Sequence, residues 1–124
     1  MEEKIVSFEQ AKWLEEIGFR PHCMNVYVNE ILYTLDEFER YANGVVEEDP
    51  IEAPTLIEAN DWLRENKKWY VNVFPVWMKD TNELNWGFRL VDLTNAKELE
   101  FAYLDTDFYK VLSKGLDEIY FYID

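Results

Sequence analysis

The 124-residue chain has little of what site chemistry usually needs: one cysteine, one histidine, four glycines and two serines. The cysteine and histidine are neighbours, His22-Cys23, and a structural zinc site takes four ligands, so this pair reads as a lead into a strand. Neighbours on an extended chain point to opposite faces, which removes a Cys–His nucleophilic pair. Neither Ser7 nor Ser113 sits in a Gly-x-Ser-x-Gly elbow, and no glycine-rich stretch forms a phosphate cradle. A single cysteine excludes an internal disulfide. The opening Met1-Glu2-Glu3-Lys4 lacks the basic and apolar regions of a signal peptide, so a cytoplasmic location is expected. The longest apolar run, Val73 to Met78, is far short of the roughly 20 residues that span a bilayer, and no membrane segment is expected.

Positive charge is also scarce. Twelve basic residues stand against 26 acidic ones, a formal charge of −14, which repels nucleic acid and anionic lipid. Carboxylates are so common that no single pair marks acid–base glycosidase chemistry, and none follows the calcium-loop pattern. No cofactor and no metal is therefore expected, and catalysis has no visible foothold.

What the chain does have is pattern. Apolar residues make up 48% of it and aromatic residues 17%, enough for one domain, 1–124, with a core built on large rings. Thr55 with Glu58, and Ser7 with Gln10, are capping boxes, and the apolar spacing behind each predicts helices over 55–66 and 8–17. Gly18 is placed to close the first helix in a Schellman turn, with Phe19 over Leu14. Residues 24–35 read as a hairpin turning at Asn29-Glu30. From 69 to 78 both alternate sets are apolar, so this strand is covered on both sides or leaves one face sticky, and Pro75 places it at an edge or a bulge. Strands over 84–92 and 98–103 complete a meander. Asp105, Thr106 or Asp107 caps a last amphipathic helix to 123, whose Gly115 falls on the apolar face and implies a close approach. The expected fold is α+β: an antiparallel sheet, made of the three-strand meander with the N-terminal hairpin extending it, packed on one face by three helices.

Two stretches are candidates for a contact surface. Between 36 and 52 the chain carries Asp36, Glu37, Glu39, Glu47, Glu48, Asp49 and Glu52 against the single Arg40, with an Asn43-Gly44 turn inside and a helical turn expected over 37–42. The strands carry Trp69, Trp77 and Trp86, which serve either as core or as aromatic anchors for a partner.

The order Ser7-Phe8-Glu9-Gln10-Ala11-Lys12, then Gly18-Phe19, Ala53-Pro54-Thr55, Glu58-Ala59 and Trp62-Leu63-Arg64-Glu65 resembles small accessory proteins of phages and mobile elements of gut Bacteroidales. The resemblance covers mainly the first two helices, implies that genomic setting and carries over no functional residue. The acidic connection before Ala53 is longer here. Three functional readings follow. The first is a non-enzymatic interaction protein with a basic protein partner and no direct contact with nucleic acid or membrane. The second is an acidic nucleic-acid mimic that occupies the basic channel of a nuclease or DNA-binding protein. The third is a small-ligand binder using the aromatic strand.

Overall fold

The structure, a computed structural model, describes residues 4–42 and 49–123, residues 41 and 42 by their backbone. The chain divides into two compact units, Met1–Ala59 and Asn60–Asp124, and the fold class is α+β with two three-stranded antiparallel sheets.

In the first unit, helix α1 (Phe8–Glu16) starts at the Ser7 box, where Ser7 Oγ accepts from the Gln10 N–H and Gln10 Oε1 accepts from the Ser7 N–H. Its end is a full Schellman turn. The Phe19 N–H donates to the Leu14 carbonyl at 2.9 Å and the Gly18 N–H to that of Glu15 at 3.1 Å, with Gly18 at φ +105°. Strands β1 (Asn25–Val28) and β2 (Ile31–Thr34) form the expected hairpin. Asn29 and Glu30 both take positive φ, 52° and 67°, the type I′ geometry that matches the strand twist. A third capping box follows, between Thr34 and Glu37, and starts the short helix α2 (Leu35–Glu37), which runs into a π-helical turn over Phe38–Ala42.

The expectation that this hairpin extends the meander is not met. The outer side of β1 is taken instead by β3 (Ile51–Glu52), giving the order β2-β1-β3, a sheet separate from the meander. Two residues are too few to show a strand period in the sequence, so the acidic connection hid the partner that β1 uses. Helix α1 packs with β3 of this first sheet. The Tyr27 hydroxyl donates to the Val6 carbonyl at 2.7 Å in the interior of this unit, and Phe8 meets the Tyr27 ring edge to face.

Helix α3 (Leu56–Asn66) starts at the Thr55 box, with Glu58 Oε1 2.9 Å from the Thr55 nitrogen, and crosses the boundary between the units. In the second unit β4 (Trp69–Met78) and β5 (Glu83–Asp92) pair one to one over ten residues, and β6 (Lys97–Glu100) completes the order β4-β5-β6. The third strand is shorter than the expected 98–103. Beyond it Phe101 and Tyr103 still lie against Phe88, and Asp105 bridges to Trp86. Helix α4 (Phe108–Ile119), capped by Asp107, packs on β4 and β5 with Val111, Leu112, Leu116 and Ile119 buried. A β-carbon on Gly115 would overlap Val71 Cγ1 and stand 3.0 Å from Cγ2, so glycine is what lets the helix lie on the strand. On the opposite face of the sheet Gly87 sits under the Phe74 ring, and the Arg89 guanidinium lies over that ring at 4.5 Å while pairing with Glu98.

Candidate functional site

The acidic candidates are spread over several local tasks. Asp36 pairs with Arg40 one helical turn on, at 3.3 Å, with both side chains in solvent. Glu37 closes the Thr34 box, and the hydrogen bonds it receives there hold its carboxyl below the usual carboxylate range. Glu52 turns inward. Its Oε1 accepts from the Cys23 N–H at 2.7 Å and its Oε2 lies 3.6 Å from Nδ1 of the exposed His22 imidazole, so this carboxylate ties β3 to the segment leading into β1. Glu39 and Asp49 are exposed, while Glu47, Glu48 and the Asn43-Gly44 turn lie outside the described residues. Three of the seven carboxylates thus have structural partners, and the structure does not gather the described ones into one constellation.

His22-Cys23 gives no nucleophile. Cys23 is buried, and that burial, reinforced by the charges of Glu52 and Glu58, pushes its thiol up to about 12, which leaves it protonated at neutral pH. Among the described residues no group of three histidine, cysteine or carboxylate side chains is placed to hold a metal ion. No helix among them is long and apolar enough to cross a membrane.

The three tryptophans fall on one face of the β4–β5 hairpin, the face that carries α4, and α4 accounts for two of them. Trp69 stacks on Tyr122 just past the end of the helix, with centroids 5.5 Å apart and planes at 22°. Trp86 meets Phe108 at its start edge to face, at 5.2 Å. One pair nearer the hairpin tip on the same face, Trp77 stands directly across from Leu84 and neither is covered: they are 57% and 43% exposed. Pro75, between Trp77 and the covered part of the face, is exposed as well. Two large apolar side chains are therefore fixed side by side on a rigid ladder.

Sequence reasoning named Trp77 but missed its companion Leu84, which alternation alone assigns to the core with Trp86 and Phe88. It also missed Asn60. This side chain accepts from the Val71 N–H at 2.8 Å and donates to the Val71 carbonyl at 2.9 Å, and so occupies the outer edge of β4 at that residue. The only signal was a weak one, an asparagine inside a helix where that residue is a poor former. What the arrangement offers chemically is contact: an aromatic anchor, an aliphatic neighbour and a strand edge. No protein-family model, no curated protein and no solved structure matches this chain.

Proposed function

We propose that this chain is a non-enzymatic interaction protein that binds another protein through the tip of the β4–β5 hairpin, with Trp77 as the anchor and Leu84 beside it. The observation that carries the reading is the exposure of Trp77, 57%, on a strand whose register fixes it opposite another exposed apolar side chain. Tryptophan is the side chain most enriched among residues that dominate binding energy, and one held on a ladder needs little ordering when a partner arrives. The charge of −14 favours a basic partner and speeds its approach at low salt. The resemblance of the first two helices supports a role as an accessory factor of a phage or mobile element.

The test is Trp77→Ala alongside Glu39→Gln, which removes an exposed carboxylate that caps no helix. With the fold confirmed by circular dichroism, affinity for the partner recovered from the native host is measured at two salt concentrations. Trp77→Ala is expected to weaken binding by about 2 kcal/mol or more, the range of an anchor residue, and Glu39→Gln to leave affinity unchanged within experimental error. Full affinity in Trp77→Ala together with a steep loss at high salt would return the lead to the acidic connection.

A further inference from the structure

The geometry points to strand addition as the way this contact is made: the outer edge of β4 from Val73 to Trp77 takes an extended segment of a basic protein as a fourth strand of the β4-β5-β6 sheet. The inference rests on the reading of the hairpin tip as the contact site and specifies the mode of binding.

In an antiparallel ladder each residue directs its N–H and C=O to the same side, and successive residues alternate sides. Both polar groups of the Val71 backbone reach Asn60, away from β5. The pairing of β4 with β5 runs without a bulge, so Val73, Pro75 and Trp77 face outward as Val71 does. Among the described residues β4 is an outer strand, and no backbone hydrogen bond is made to those three from that side. Asn60 already makes at Val71 the donor–acceptor pair that a neighbouring strand would make, so the edge is in bonding geometry where it starts. The remaining edge offers the N–H groups of Val73 and Trp77 and the carbonyls of all three residues, since Pro75 has no donor.

Pro75 also selects the occupant. A second copy of this chain paired about Pro75 would set proline against proline, with no donor between them, and would bring together two chains of charge −14. A segment of a different protein avoids both penalties. Lysine or arginine in that segment complements the charge, and apolar side chains on alternate positions cover Pro75, Trp77 and Leu84.

The probe is a blocked nine-residue peptide of alternating valine and lysine, together with the same peptide N-methylated on alternate residues to remove its donors on one edge. Amide exchange of the protein is followed by NMR. Bound peptide is expected to slow exchange at Val73 and Trp77 by about tenfold or more, with little change at Asn72 and Phe74, whose amides already face β5. N-methylation should abolish this. Pro75→Val restores the missing donor and should bind the peptide about threefold to tenfold more tightly, the equivalent of one added hydrogen bond. Val73→Pro removes a donor that the ladder with β5 does not use and should weaken binding by a similar factor. Pro75→Val decides alone should Val73→Pro not fold. Two results overturn strand addition: no binding of the peptide at millimolar concentration by the parent or by Pro75→Val, or binding that is lost in Trp77→Ala yet indifferent to Pro75→Val. In either case the hairpin tip remains the contact site if Trp77→Ala still loses the host partner, and falls with it if that partner is retained.

Discussion

The two sheets have the same number of strands and are antiparallel throughout, yet the elements around them differ. The first is built from strands of four, four and two residues, and its neighbouring segments are pinned by local polar devices: three capping boxes, a Schellman turn, the inward carboxylate of Glu52 and the buried hydroxyl of Tyr27. The second is built on a hairpin of two ten-residue strands whose covered face packs on one amphipathic helix, with Gly115 against Val71 and an aromatic pair at each end. Both units bury apolar side chains, among them Leu14, Phe19, Val26 and Val28 in the first, but strands this short form few ladder bonds and the first unit adds polar pins at their ends. A long hairpin under a helix gains mainly by burial.

Four perturbations break or sharpen this contrast. The largest effect is expected in the second sheet. Gly115→Leu should destabilise by about 3 kcal/mol through overpacking, read as a lowered urea midpoint, and Val71→Ala in the same chain should recover part of it. Hydrogen exchange then tests the contrast itself. Amides of β1 that open as readily as those of β5 in this variant would mean that both sheets unfold as one cooperative body. Next is Asn60→Ala, which leaves the outward N–H and C=O of Val71 without their partner and should cost about 2 kcal/mol. Asn60→Asp, which can accept but not donate, should fall between parent and alanine.

A smaller effect of opposite sign belongs to the first sheet. Glu30 holds φ +67°, which strains a residue with a β-carbon, so Glu30→Gly should raise stability by about 1 kcal/mol. No gain would mean that the turn relaxes from type I′ in solution. The smallest effect near neutrality is on pH. Burial raises the thiol of Cys23 to about 12 and raises the phenol of Tyr27 as well, both in the first unit. A raised acid group favours the folded state fully below its ordinary value. That contribution is lost as pH climbs from about 8.5, where an unfolded thiol ionises, through the folded value. Stability should therefore be flat for these groups at neutral pH and decline on the alkaline side, and a thiol reagent should label Cys23 slowly at neutral pH unless the chain unfolds.

The sequence by itself determined the local elements. Ser7 with Gln10, Thr55 with Glu58, and Gly18 are where the pattern put them because caps and closing turns are chemistry between residues three to five apart. The strand over Trp69–Met78 and the close approach at Gly115 were legible for the same kind of reason, a period and a missing side chain. Tertiary structure alone decided the rest. It gave β1 to a two-residue partner from the acidic connection, set Asn60 on the edge of β4, and half-buried Trp69 and Trp86 against other rings while leaving Trp77 and Leu84 in solvent. Composition cannot separate three tryptophans that share one alternation. Which of them is covered depends on where a helix 12 residues long ends over a hairpin, and that is fixed by packing between segments distant in the chain.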